Sequence, residues 1–357
     1  MNHLFSSLTI RDIILGNRIV VSPMCQYSAH DGMPNDWHLV HLGARAVGGA
    51  GLIFTEFTAV SPEGRITPFD LGIWKDEHIE AFRRIVKFVR AQGSEIGIQL
   101  AHAGRKGSTS EPWNGSKLVN STAGGWQVVA PSAIPFDEHY GKPVALTIAE
   151  IGQVVDDFRA ATRRAMLAGF KVIELHAAHG YLLHQFLSPL SNQRQDEYGG
   201  SFANRTRLLL EVVTAVREAW PPGYPLFVRV STTDWAEGGW TPDETVQLAV
   251  LLKELGVDVM DCSSGGMVPY QEIPVGPGYQ VPFAERIRKE AGIMTSAIGI
   301  ITDAVQAETI LASGQADLVG MARELLRDPY FPLHAADVLG YRGIHWPVQY
   351  ERAKRSK

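Results

Sequence analysis

The stretch VIELHAAHGYLLHQFLSPLSN, residues 172–192, sets His176 and His179 three positions apart, with Tyr181 two further on, directly after a β-branched run. Two imidazoles and a phenol at a strand end can ligate a metal, act as a catalytic pair, donate hydrogen bonds to an anionic group, or pack as satisfied polar residues. Other reactive residue types recur in comparable places. RIVVSPM leads into Pro23, Met24 and Cys25, with Tyr27 close behind. EIGIQL carries Gln99 and is followed by His102, and LFVRV contains Arg229. IMTSAIG ends in Ala297, Ile298 and Gly299, and ADLVGM leads through Gly320 into Met321, Ala322 and Arg323.

Eight such runs must position these residues: 18–24, 51–57, 95–100, 171–176, 226–230, 258–264, 293–299 and 316–321. They lack strict polar alternation, which marks buried parallel strands. Amphipathic segments at 37–48, 78–91, 148–167, 204–219, 242–255 and 302–313 lie between them. Thr241-Pro242-Asp243-Glu244 supplies a helix cap, a proline in the first turn and early acids. Strands alternating with helices predict a single-domain (β/α)8 TIM barrel over residues 1–357. A doubly wound open sheet is the rival, but no G-x-G-x-x-G motif follows any strand. Long loops are expected after the third strand (101–147, with His102, Arg105 and Lys106) and the fourth (177–203). Loops of that length in a compact domain are commonly functional.

In a barrel the C-terminal strand ends face the active site, so these residues converge on one face. Each also has a plain structural reading. A lone cysteine is often a small buried hydrophobe, and Gln99 can bond a loop carbonyl. Arg323 can pair with Glu324 or Asp328. Arg229 is harder to dismiss: a guanidinium inside a strand run needs an internal carboxylate or a bound ligand. Gly299 and Gly320 permit close backbone approach, and barrel phosphate sites commonly lie at the seventh and eighth strands, where Arg323 adds charge. A flat heterocycle with carbonyls and ring nitrogens would use Gln99 and Arg229; reduced flavin has such an anionic edge.

Net charge is −5, without a block of like charge before the RAKRSK tail, so neither nucleic acid nor an anionic membrane is expected as partner. Two cysteines, Cys25 and Cys262, suit a reducing, cytoplasmic setting, and no apolar run is long enough to span a bilayer.

The segments SPMCQYSAHDGMPNDWHLVHLGARAVGGAGLIFTE, GIQLAHAGRK, ELHAAHGYLLHQFLSPLSNQRQDEYGGSFANRTRLLLEVV and ARELLRDPYF together resemble the Old Yellow Enzyme family of flavin-dependent ene-reductases. The resemblance is closest to its thermophilic-like and xenobiotic-reductase subgroup and spans the chain. It implies FMN in the barrel mouth, reduced by NADPH or NADH. Hydride would pass from flavin N5 to the β-carbon of an α,β-unsaturated carbonyl or nitro compound. By position, Ser22, Pro23, Met24 and Cys25 would line the flavin, Cys25 tuning its potential and touching substrate. Gln99 and Arg229 would bond the pyrimidine edge, and Ala297, Gly299, Ala322 and Arg323 would hold the phosphate. His176 and His179 would polarise the substrate carbonyl, Tyr181 would protonate the α-carbon, and Tyr27 would help bind substrate. A homodimer or homotetramer is implied, with the tail 343–357 at a subunit interface.

The chain departs from that pattern at Phe57, where relatives commonly have alanine beside the flavin, and at Ile298, where xenobiotic reductases carry tryptophan. Ala322 stands where glycine is usual, and the C-terminus is basic. Arg352 matches an arginine that reaches a neighbouring subunit's active site in the subgroup. Two barrel rivals are a mixed-ligand zinc enzyme using Cys25, His102, His176 and His179, and a Schiff-base aldolase. The aldolase lacks a lysine at a strand's C-terminal end, and zinc leaves Gln99, Arg229 and Arg323 unexplained. A third rival is a flavin-binding protein without turnover, which would have no use for a proton donor such as Tyr181.

Overall fold

The structure is a computed structural model that describes residues 2–354; the last three residues of the basic tail lie outside the described residues. Eight parallel strands form a closed ring: β1 (Ile19–Val21), β2 (Leu52–Ala59), β3 (Glu95–Ala101), β4 (Val172–Ala177), β5 (Leu226–Ser231), β6 (Val259–Ser263), β7 (Met294–Ala297) and β8 (Leu318–Met321). Closure comes from β8 pairing with β1 (Val319↔Ile19, Met321↔Val21) and β1 with β2 (Val20↔Leu52). The predicted barrel stands.

The outer helices are α1 (Asp36–Val47), α2 (Glu77–Ala91), α3 (Ile148–Ala168), α4 (Phe202–Ala219), α5 (Pro242–Glu254), α6 (Val281–Ala291), α7 (Ala304–Ala312) and α8 (Phe331–Val338). Local chemistry starts several of them. Asn35, Thr147 and Thr241 each form a capping box with the residue three positions on, and Pro242 occupies the first turn of α5. Their inner faces and the outer faces of the strands form one large apolar cluster.

The ladder ends earlier than expected at two mouth segments. β1 stops at Val21 because the following Pro23 has no N–H to donate. β7 stops at Ala297 because Gly299 turns the chain with φ +125°. In β2 the register shifts between Phe54 and Phe57. Residues three apart in a regular strand face opposite ways; the bulge lets Phe54 pack in the barrel floor and Phe57 in the mouth.

The sequence reading missed a short antiparallel hairpin, Leu8–Ile10 with Ile13–Leu15. Ile10, Ile13 and Leu15 plug the N-terminal end of the barrel against Val20, Leu52, Phe54, Val172, Phe227, Val259 and Leu318. Three-residue strands are too short for a periodic signal, so only the tertiary packing reveals them. The segment after β3 runs to α3 through short 3-10 turns and the strand pair Val129–Ala130 and Val144–Ala145. The segment after β4 carries a short helix, Leu182–Leu187.

Candidate active site

β4 delivers His176 to the mouth, and the chain turns at His179 (φ +57°) and Gly180 (φ +74°) before Tyr181 caps the short helix. A non-glycine residue in the left-handed region costs energy and is held by its surroundings. Here the β6 loop holds it: a Cβ on Gly266 would lie 2.5 Å from the His179 Cα, and one on Gly180 would lie 2.1 Å from the Gly266 carbonyl oxygen. The His179 N–H donates to the Ser231 hydroxyl at 2.9 Å.

This turn brings the three predicted catalytic side chains together. The His176 ring lies 5.1 Å from that of His179 and 5.0 Å from that of Tyr181. His176 Nδ1 accepts the Ala178 N–H at 3.3 Å, which leaves Nε2 as its donor. His179 Nε2 contacts the Ser263 hydroxyl at 2.7 Å. A free donor at His179 Nδ1 therefore requires Ser263 to donate to Nε2. Burial, with the positive charge of Arg229 next, pushes both imidazoles well below the ordinary histidine range, so they are neutral donors. Burial pushes the Tyr181 phenol well above its ordinary range, so it keeps its proton.

The β1–β2 side forms the facing wall. Phe57 is buried, with its ring 5.0 Å from Tyr181 and 6.1 Å from His176. Cys25, Tyr27 and Trp74 pack on the same cluster, and Tyr27 adopts φ +49° with its ring edge toward Trp113. Burial, then Asp70 and Glu56, push the Cys25 thiol well up, so it is no thiolate nucleophile. Lys106 anchors this space from the β3 loop. Its ammonium donates to the carbonyls of His179 (3.0 Å) and Gly266 (3.1 Å) and sits 5.5 Å from the Tyr181 ring centre; burial lowers its pKa to about 8.

Below the mouth, four neighbouring strands contribute a buried polar layer. Gln99 donates to Glu174 at 2.8 Å, and Arg229 Nε lies 3.4 Å from Asp261. Arg229 thus faces an internal carboxyl without a hydrogen bond from Nε, while its side chain also lines the mouth cavity. Burial pushes Glu174 and Asp261 upward, so one internal cation sits with carboxyls that resist ionisation. Glu174 and Asp261 carried the same signal as Arg229, a charge inside an apolar strand run, but were not singled out in the sequence.

A cavity of about 370 Å³ opens between the ends of β5–β8, lined by Arg229, Ser263, Tyr279, Gln280, Ile298 and Gly299 to Thr302 on one side and Gly320 to Glu324 and Arg327 on the other. Its geometry fits the expected FMN. A Cβ on Gly320 would lie 2.9 Å from the Ser22 hydroxyl, so only glycine keeps this floor open. Arg323 enters no ion pair among the described residues: Glu324 pairs with Arg327 at 2.5 Å and Asp328 with His334 at 2.6 Å. A cavity-lining guanidinium without an internal carboxylate suits an anionic group. Ala322 has a negative φ of −116°, so the position does not call for the left-handed freedom of glycine. Ala297 at the end of β7 and the following Ile298 are buried, and Pro23 and Met24 are half-buried beyond Ser22.

Arg352 is the one predicted site residue that the fold leaves apart. It is exposed on the turn Val348–Ala353, whose Tyr350 packs against Tyr330 beside α8. Among the described residues, no three His, Cys, Asp or Glu side chains are grouped to hold a metal ion, and no helix is long and apolar enough to cross a membrane.

Comparison with known proteins agrees with this geometry. The family model described as "NADH:flavin oxidoreductase / NADH oxidase family" matches residues 3–340. An NADPH dehydrogenase of Geobacillus thermodenitrificans is 52% identical over 354 residues, covering 99% of this chain and 98% of the relative. Morphinone reductase in complex with tetrahydroNAD superposes with a TM-score of 0.79 at 29% identity, over 96% of this chain and 92% of that one. The old yellow enzyme homologue from Zymomonas mobilis gives a TM-score of 0.78 at 28% identity, over 97% and 94%. The chain belongs to the NADH:flavin oxidoreductase / NADH oxidase family, in its Old Yellow Enzyme branch, and is an oxidoreductase that works with FMN and a nicotinamide nucleotide.

Proposed function

We propose that this single-domain enzyme reduces the activated C=C bond of small α,β-unsaturated carbonyl or nitro compounds. The observation that carries the reading is the convergence of two neutral imidazoles and a protonated phenol on one wall of the mouth, beside a cavity lined by Arg323, which enters no ion pair among the described residues. Arg323 and the Gly320 floor would hold the FMN phosphate. Gln99 and Arg229 would face its pyrimidine edge, with Ser22, Pro23, Met24, Ala297, Ile298, Gly299 and Ala322 around it. When bound, FMN supplies hydride drawn from NADPH or NADH.

The protein's own residues do the rest. His176 and His179 hydrogen-bond the substrate oxygen, and those bonds strengthen as negative charge builds there, which favours the transition state over the ground state. Their neutrality matters, because a neutral donor polarises the oxygen without protonating it. Tyr181 gives its proton to the α-carbon as general acid. Its raised pKa keeps the proton in place until the carbon has become basic. Tyr27 and Cys25 bound the substrate opposite Tyr181, and Phe57 and Ile298 narrow the space and set substrate range.

Arg352 is proposed to act in a second copy of a homodimer or homotetramer, since it lies away from its own mouth. An Arg352→Ala variant with unchanged substrate affinity and oligomeric state refutes that role. The two free thiols, Cys25 and Cys262, support the reading of a cytoplasmic setting.

The test is the visible spectrum of the purified protein under anaerobic conditions. Yellow colour that bleaches with NADPH and returns with 2-cyclohexenone is expected. Bleaching without return on adding enone would reject the alkene chemistry while keeping the flavin site.

A further inference from the structure

Behind the catalytic turn lies a buried pair that the reaction does not touch. His184 stands in the first turn of the short helix after Tyr181, and Asp234 in the loop after β5; both side chains are 0% exposed. His184 Nδ1 accepts the Gly180 N–H at 3.0 Å. An Nδ1 that accepts leaves the ring hydrogen on Nε2, which lies 2.9 Å from Asp234 Oδ1 in an ion-pair contact off hydrogen-bond geometry. The other Asp234 oxygen accepts the Ser188 hydroxyl at 2.5 Å and the Trp240 N–H at 2.8 Å. Burial pushes this carboxyl up, but His184, Ser188 and Trp240 outweigh it and hold it below the ordinary range. Asp234 is thus a fixed anion set against the Nε2 edge of the ring.

The Gly180 N–H belongs to the peptide joining His179 to Gly180, and the opposite end of that peptide, the His179 carbonyl, accepts from Lys106. The next carbonyl, of Gly180, accepts from Gln185 at 2.7 Å. Three side chains thus hold the two peptide planes separating His179 from Tyr181. Only the His184 contact reaches the left-handed Gly180 from the N–H side.

The same wiring recurs across the mouth, at the loop bearing Cys25 and Tyr27. The Asn35 N–H donates to His38 Nδ1 at 3.0 Å, His38 Nε2 lies 3.3 Å from Glu56, and Glu56 accepts the Gln26 N–H at 2.7 Å. Both substrate-facing loops place a backbone N–H on an imidazole Nδ1 and a buried acidic side chain beside that ring's Nε2.

We propose that His184, oriented by Asp234, is a positioning residue: by holding the Gly180 N–H it sets the angle between the His179 donor and the Tyr181 phenol. The proposal rests on reading Tyr181 as the proton donor. It requires an acceptor at the Nδ1 position, and the Nε2 side serves only to aim it. Two variants separate these roles. In His184→Asn the side-chain oxygen falls where Nδ1 lies, whereas His184→Gln keeps a donor near Asp234 and removes the acceptor.

The experiment uses the FMN-loaded full chain. It combines amide hydrogen exchange of the peptide covering residues 178–187 with stopped-flow measurement of reduction by NADPH and reoxidation by 2-cyclohexenone. His184→Gln should speed exchange at Gly180 by about tenfold or more. Reoxidation should slow by about 10- to 100-fold, the scale for misaligned reacting groups, with NADPH reduction and FMN affinity within about twofold. His184→Asn should rescue both exchange and reoxidation to within about threefold. Equal losses in the two variants, or parallel losses in both half-reactions, overturn the proposal and leave His184 a packing residue. If His184→Gln does not fold, His184→Asn decides alone: large loss there overturns it, and retained protection and reoxidation support it. A Tyr181→Phe variant that reoxidises normally would instead sink the proton-donor reading, while exchange at Gly180 still reports on the clamp.

Discussion

On the β4 side of the mouth, the backbone between His179 and Tyr181 is tied down by Lys106, His184 and Gln185, and the rings of His176, His179, Tyr181 and Phe57 pack edge to face. On the β7–β8 side, the chain leaves a cavity of about 370 Å³, a glycine floor at Gly320, and Arg323 in no ion pair among the described residues. The two halves handle their polar groups in opposite ways. The first satisfies them internally, because a proton donor and two hydrogen-bond donors are useful only in fixed orientation. The second withholds internal partners, because an anion can be held tightly only by donors that nothing else has claimed. Arg229 sits on the boundary and does both, facing Asp261 inward and the cavity outward.

The contrast can be broken from either side. The largest effect should come from Tyr181→Phe, which removes the proton and leaves the packing: reoxidation by enones should fall by about 10²- to 10⁴-fold, the range for general acid catalysis, while stopped-flow reduction by NADPH is unchanged. Next is Arg323→Ala on the open side. Losing charge-assisted bonds of roughly 1.5–3 kcal/mol should weaken FMN binding by about 10- to 100-fold, read by fluorescence titration of the apoprotein. Its reoxidation rate at saturating FMN should hold. If FMN affinity is unchanged, the phosphate does not lie at Arg323.

A smaller effect belongs to Ser263→Ala. Without the hydroxyl, His179 loses the partner that directs its Nδ1 hydrogen outward, and a single neutral hydrogen bond of about 1 kcal/mol corresponds to a roughly fivefold slower reoxidation. The smallest is a slope. Lys106 titrates at about 8 in the folded protein, below the ordinary 10.5. Between those values the unfolded chain binds more protons, so this group's contribution to stability rises with pH across that window. In urea unfolding of FMN-saturated protein, Lys106→Met should remove that rise; an unchanged slope would show that Lys106 titrates normally.

Much of the tied-down half was legible in the residues themselves. His176, His179 and Tyr181 follow a β-branched run within a few positions, so local geometry alone brings them to one strand end. Arg229 was legible as a charge in an apolar run, and the Thr241 cap formed as its residues suggest. The supports were not: Asp234 lies 50 residues from His184 and Ser263 84 from His179, and a hydrogen bond across the barrel leaves no mark on local sequence. The open half was legible only in outline, because Gly320 and Arg323 suggest a phosphate loop while nothing local says whether Glu324 or Asp328 would claim the arginine.

By itself, the sequence determined the alternation of eight strands and helices, since burial pattern, β-branching and capping act within a few residues of each other. It also determined which reactive side chains sit at strand ends, since the pleat and chain direction place them there. Only the tertiary structure decided the floor hairpin, the bulge that turns Phe57 into the mouth, the neutral state of the imidazoles and the freedom of Arg323. Each of these depends on what other strands bring within a few ångströms, and desolvation and pairing are properties of that assembled neighbourhood.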